Sequence, residues 1–272
     1  MSDLEVPLRV GEHLVADYVL APDIDPTLVP RPYLHPVRTL AGTVVTDVLP
    51  ADHEWHLGAG LAIADVAGTN LWGGRSYVHG KGYIWLPDHG RIEHIAWRAQ
   101  ADDVLEHDLV WRDPVGADLL AEHRTIAATP GPSPESWTLT FATTLTNVRP
   151  SPIEIRSPAT NGRGDGAGYG GFFWRLPPTD GLQVVARDPQ TADRARGERF
   201  VNGSDLPELT VTGVTSGKPY ALTFTGLANA DRWFARVAEY PAVGVAFAYR
   251  NPVILAPGAE LARTFTVILA DI

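Results

Sequence analysis

Apolar and polar residues alternate with a period of two along most of this chain, and runs with helical spacing are scarce. The clearest run is 137–146. Trp137, Leu139 and Phe141 point one way and Thr138, Thr140 and Ala142 the other, which gives a strand one buried and one polar face. The same reasoning predicts strands over 13–20, 42–46, 60–66 and 76–86, then over 91–100, 104–112 and 119–128. Shorter or later strands are expected at 153–155, 209–214, 220–225, 243–249 and 261–269. Pro, Gly, Asp and Asn punctuate these runs as turn residues. Only 191–198 and 228–234 have the pattern of short helices. So many strands with so few helices predict an all-β fold, a large sandwich of two packed antiparallel sheets. No linker, composition shift or fixed-period repeat divides the chain, so 1–272 is expected to be a single domain.

Composition narrows the partners. With 32 acidic and 22 basic residues the net charge is -10, a surface that a phosphate backbone would repel, so nucleic acid is not an expected partner. Cysteine is absent, which excludes disulfides, thiolate metal sites and a cysteine nucleophile. No segment approaches the ~20 consecutive apolar residues of a membrane span, and Met1-Ser2-Asp3-Leu4-Glu5 lacks the basic start of a secretory signal. A cytoplasmic protein without membrane attachment is the expectation.

The chemistry-bearing residues crowd between 31 and 74. Arg31-Pro32-Tyr33-Leu34-His35-Pro36 places a guanidinium, a phenol and an imidazole on a segment stiffened by two prolines. Asp52-His53-Glu54-Trp55-His56 adds two imidazoles three residues apart, close enough on a loop to converge. Imidazole exchanges protons near neutral pH, so His35, His53 and His56 are the candidate catalytic residues. Three histidines also suit a zinc ion, although this spacing alone does not select that use. Asn70-Leu71-Trp72-Gly73-Gly74 sets an indole beside two glycines, where a ligand could approach the backbone. Trp72 is the candidate stacking residue.

A second constellation spans 157–175. Six glycines in the ten residues 162–171 exclude regular structure across most of it, up to an aromatic strand start, and it matches neither a Walker loop nor a dinucleotide fingerprint. Asn161, Arg163, Asp165 and Tyr169 give it hydrogen-bonding side chains, as in a loop forming the rim of a pocket. With Arg31, Tyr33 and Trp72 these are the expected substrate-binding residues. The other polar residues on predicted strands, including His94, Glu106, His107, Glu122, His123 and Arg124, are expected mostly on solvated faces, Glu122 and Arg124 as a same-face structural pair.

Together, the 31–36, 52–58 and 70–74 motifs and Gly168-Tyr169-Gly170-Gly171 resemble the PmoA-like family, a bacterial group that carries a methane-oxygenase label. Trp55 stands where members of that family often have a further histidine. A membrane oxygenase subunit needs a spanning segment. The resemblance therefore implies a soluble protein of sugar catabolism with a galactose-mutarotase-like β-supersandwich. In such folds histidines and a carboxylate handle protons around a sugar ring. The expected function is acid–base chemistry on a sugar or keto-sugar, by an epimerase, lyase or hydrolase without a redox cofactor. The proton donor and acceptor would be His53 and His56, with His35 orienting the ring; the carboxylate is unassigned. A non-catalytic sugar-binding protein and a histidine-ligated metal enzyme are the alternatives.

Overall fold

The computed structural model describes residues 4–164, 166–228 and 230–272. Two antiparallel sheets carry nearly all of the regular structure. The nine-stranded sheet runs in the order Arg194–Arg196, Asp180–Arg187, Glu208–Thr215, Lys218–Thr225, Glu260–Asp271, Ser136–Asn147, Asp118–Pro130, Val104–Arg112, Arg91–Gln100. The ten-stranded sheet follows Glu5–Val10, His13–Val19, Tyr33–Val37, Ala59–Val66, Gly171–Arg175, Ala242–Ala246, Arg232–Arg236, with three short strands off this path. Ser76–Val78 and Gly82–Ile84 form a separate hairpin.

The core between the sheets follows from alternation. Leu139, Phe141 and Leu145 of the nine-stranded sheet are buried, and so are Phe172 and Trp174 of the ten-stranded one. Phe172 lies between Phe141 and Phe265 of the opposite sheet, with ring centroids 4.9 and 5.0 Å away. Such pairs add about 0.5–1.5 kcal/mol each beyond the area they bury. The other side of the ten-stranded sheet is built from the intervening residues. Gly60, Ala62 and Ala64 of one strand and Ala242 and Gly244 of another are small, which leaves room for large side chains above them. Phe173 with Arg175, and Phe234 with Arg236, occupy that side because each pair is two residues apart on its strand.

Local expectations fail where tertiary pairing overrides them. Residues 42–46 make only an isolated bridge at Val44. Within 228–234 the residues from 232 onward belong to the edge strand Arg232–Arg236, and 191–198 contains the strand Arg194–Arg196. Glu5–Val10, Tyr33–Val37 and Asp180–Arg187 are strands that the period-two reading passed over. The one α-helical turn among the described residues, Glu198–Val201, starts only at the last residue of the 191–198 segment expected to be helical, and a 3-10 and a π turn lie at Pro26–Leu28 and Ala159–Arg163.

The solvated-face expectation is also corrected. His107, Glu122 and Arg124 lie within the core, where Glu122 and Arg124 form the expected same-face pair as a buried bidentate ion pair. His107 sits between the Tyr18 hydroxyl at 3.0 Å and His94 at 2.9 Å. Burial, then the charges of Arg124, His94 and His123, pull its pKa down to about 2. Burial also lowers the pKa values of His56, His35 and His94.

These histidines take up protons near pH 6.5 once unfolded but resist protonation in the fold. Their stabilising effect is therefore complete above about pH 6.5 and is lost as pH falls toward the folded value. The well-buried His107 and His56 each contribute up to about 1.4 kcal/mol per pH unit within that window, the more exposed His35 and His94 less. The urea midpoint is expected to drop steadily between pH 7 and pH 5, a range above the window in which the depressed carboxyls Asp52 and Asp108 act. A flat midpoint would contradict the buried, neutral placement of His107.

Candidate functional site

The outer side of the ten-stranded sheet carries a cleft of about 360 Å³, within the ~300–1,000 Å³ usual for small-molecule sites. Loops that cross the strand ends supply its walls. His53 and Trp55 come from the turn before Ala59–Val66, and Trp72 from the turn after Thr69–Leu71. Tyr83 and Trp85 come from the hairpin and its exit, and Arg163 and Tyr169 from the glycine-rich segment. Phe234, Arg236, Glu239 and Tyr240 complete it from the edge strand and the turn beyond. Beneath lies a small apolar cluster of Ala62, Trp72, Phe173, Phe234 and Ala242.

Three of the sequence motifs turn out to be one mechanical unit that places Trp55. The buried Arg31 guanidinium donates to the backbone carbonyls of Leu28, Val29 and Trp55, at 3.1, 2.9 and 2.9 Å. Burial brings its pKa down to about 9. Asn70 pins the following turn, its Oδ1 accepting from the Trp72 and Gly73 amides and its amide donating to the Gly74 carbonyl. Gly73 and Gly74 have φ of 106° and 68°, and a Cβ on either would come within 2.6 Å of Trp55. Gly74 thus makes room for the Trp55 indole and Gly73 for the Trp55 Cβ and the Leu28 carbonyl, and Gly73 also lines the cleft. Gly74→Ala is expected to cost about 1–3 kcal/mol and to shift tryptophan emission, as seen by chemical denaturation followed through fluorescence. Unchanged stability and emission would show that Trp55 has room to move.

The catalytic candidates separate. His53 and His56 are brought together, rings stacked with centroids 4.7 Å apart. Only His53 lines the cleft. His56 is 2% exposed, packed against Phe173, Trp72 and Tyr240. Burial, followed by the charges of His53, Arg175 and Arg31, holds it well below its ordinary pKa. Arg175 donates to His56 Nδ1 at 3.4 Å, which makes that nitrogen an acceptor on a neutral ring. His56 therefore buttresses His53 from behind. His35 is elsewhere: its Nδ1 bonds Thr46 at 3.0 Å and its charged neighbours are Asp47, Arg38 and Asp17. Among the described residues no group of three His, Asp or Glu side chains is placed to hold a metal ion.

The carboxylate bonded to His53 is Asp52. Its Oδ2 accepts from His53 Nδ1 at 2.9 Å, and its oxygens accept from Arg175 at 3.1 and 3.3 Å. Desolvation pushes the Asp52 pKa up, but the His53 bond and the Arg175 charge outweigh it and leave it low. An ionised Asp52 fixes the Nδ1–H tautomer of His53 and leaves Nε2 as the nitrogen available for proton exchange. Arg175 stacks 5.4 Å above the Tyr240 ring, and Tyr240 packs 4.3 Å from the His53 ring. Burial first raises the Tyr240 phenol to about 12, so it stays protonated and can donate.

Of the expected binding residues, Trp72, Arg163 and Tyr169 line the cleft. Tyr169 bonds the Tyr83 hydroxyl at 3.1 Å. Asn161 lies in an adjoining cavity, its amide donating to Asp65 at 2.8 Å. Tyr33 does not reach the site but fills a buried cluster with Val19 and Leu57, and Arg31 is the clamp described above. Asp165 lies outside the described residues. Sequence reasoning missed Arg75, Arg175, Arg236, Glu239 and Tyr240. The spacing Phe173-x-Arg175 and Phe234-x-Arg236, aromatic and arginine on one strand side, was the available signal, and a helical reading of 228–234 hid half of it.

Two large antiparallel sheets with a loop-walled cleft on the outer side define a galactose-mutarotase-like β-sandwich. The backbone is similar to a galactose mutarotase related enzyme from Lactobacillus acidophilus, with a TM-score of 0.52 at 8% identity, covering 98% of each chain. It is also similar to an alpha-galactosidase from Lactobacillus brevis, with a TM-score of 0.50 at 10% identity over 99% of this chain. The chain spans 40% of that alpha-galactosidase's length. By sequence, the chain belongs to the family of unknown function DUF6807, whose model matches residues 5–272. No curated protein matches it significantly. The PmoA-like resemblance has no counterpart among these matches, whereas the fold it implied does. No helix among the described residues is long and apolar enough to cross a membrane.

Proposed function

We propose that this protein acts on a sugar or keto-sugar bound in the aromatic cleft, with His53 as the group that exchanges a proton with it. The observation that carries the reading is the Asp52–His53 pair at 2.9 Å at the edge of a cleft walled by Trp55, Trp72, Trp85 and Tyr240. Sugar rings present apolar C–H faces that pack on aromatic rings, and a carboxylate-oriented imidazole is a general acid–base suited to neutral pH. The His53–His56 donor–acceptor pairing is not retained, because His56 is sealed behind the wall. Tyr240, kept neutral, is the second proton-bearing group beside His53 and would donate a hydrogen bond to the sugar oxygen.

The galactose-mutarotase-like fold agrees with a carbohydrate role but leaves the reaction open among epimerase, lyase and hydrolase, since a fold does not set a chemistry. A sugar-binding protein without turnover is the second reading, favoured by the fact that a single histidine reaches so aromatic a cleft. One domain over 1–272 and a reducing, cytoplasmic setting belong to the same proposal. Incubation with a panel of sugars and keto-sugars, followed by proton NMR, tests it. New or exchanging resonances are expected for the substrate. Saturation transfer without chemical change would select the binding protein, and neither effect for any sugar would remove both readings.

A further inference from the structure

The cleft has a charge opposite to that of the chain around it. Three guanidiniums line it, Arg75, Arg163 and Arg236, against the carboxylate of Glu239, while the whole chain carries -10. Arg236 is engaged by Glu198 at 3.3 Å. Arg75 and Arg163 form no ion pair with any described residue. Each lies instead over an aromatic ring of the hairpin region: Arg75 5.9 Å from Trp85 and Arg163 4.9 Å from Tyr83.

Stacking of this kind holds a guanidinium in position through its face and leaves the N–H groups at its edge free to donate. Two pre-positioned guanidiniums without a carboxylate partner among the described residues form a receptor for a carboxylate or phosphate, which accept bidentate bonds of matching geometry. A neutral sugar would need only hydroxyl and amide partners, and positive charge lining a cleft of an acidic protein would add nothing for it. The same charge draws an anion in against the repulsion of the surrounding surface.

Resting on the carbohydrate reading above, we infer that the ligand is an anionic sugar, its ring against the aromatic walls and its acid group held by Arg75 and Arg163. Calorimetric titration with galacturonate, glucuronate, glucose 6-phosphate, galactose and glucose tests this. At least one charged sugar is expected to bind about tenfold or more tighter than its neutral parent. The arms separate the two sources, since tighter uronate binding identifies a carboxylate and tighter hexose phosphate binding a phosphate. The preference is expected to shrink with added salt and to vanish in the Arg75→Gln, Arg163→Gln double variant. Both side chains are exposed, so the melting temperature of that variant should stay the same. Equal binding of charged and neutral sugars overturns the inference and leaves the carbohydrate reading standing. A charge preference that survives the double variant also overturns it. Binding of none of the five, together with a silent NMR panel, removes the carbohydrate reading itself.

Discussion

Replacing His53 by glutamine is expected to lower turnover of the cognate sugar by about 10²–10⁴-fold, the usual contribution of a positioned proton-transfer group. Glutamine keeps a hydrogen-bonding side chain of similar reach but cannot exchange protons near neutral pH. Because His53 is partly exposed at the cleft edge, the loss should fall on turnover while the melting temperature changes little. Asp52→Asn separates orientation from chemistry. The amide cannot stabilise the charged imidazole, so turnover should fall while the sugar affinity measured by titration holds. His56→Phe is the control for the buttress, since an apolar ring of similar size suits a site packed against Phe173 and Trp72. A proton-shuttling His56 would make that variant as inactive as the His53 one. Full turnover in His53→Gln would leave only the binding reading.

The architecture was legible because alternation is written directly into residues such as Trp137, Leu139 and Phe141, whose burial needs no information beyond the period of a strand. The strands that escaped lack that signature for physical reasons. Tyr33–Val37 carries Pro36 and its partly buried His35. Arg232–Arg236 is an edge strand whose arginines flank an apolar centre. Within the site, the crowding of costly side chains at 31–74 correctly marked a special region. What sequence could not separate was the side chains that face the cleft from those that build its wall. Arg31 and the Gly73-Gly74 pair are as distinctive as His53, yet their task is to seat Trp55. Asp52 was visible beside His53, but its pairing with Arg175, more than a hundred residues away along the chain, was not.

Removing the Glu122 carboxylate is expected to destabilise the fold by about 3–5 kcal/mol, the cost of leaving a buried charge without its partner. Glu122 accepts four hydrogen bonds in the core, two from Arg124 at 2.7 and 2.8 Å, one from Trp111 at 2.7 Å and one from Thr143 at 2.8 Å. Arg124 then crosses to the other sheet, donating to the Tyr18 hydroxyl at 2.8 Å and to the Pro32 carbonyl at 3.4 Å. Pro32 lies between the Arg31 clamp and Tyr33, so this buried pair fastens from behind the segment that positions Trp55 in front. In Glu122→Ala the guanidinium stays buried without its carboxylate, and Trp111 and Thr143 lose their acceptor. Replacing both partners with apolar residues of similar volume, Glu122→Leu with Arg124→Met, removes the stranded charge and should recover much of the loss. The double variant gives up the tie to Pro32, so its stability should return further than its sugar affinity. Urea denaturation of the three proteins, paired with calorimetric titration, measures both. A cost below 1 kcal/mol for Glu122→Ala, or equal recovery of stability and affinity in the double variant, would show that the inter-sheet network and the cleft are independent.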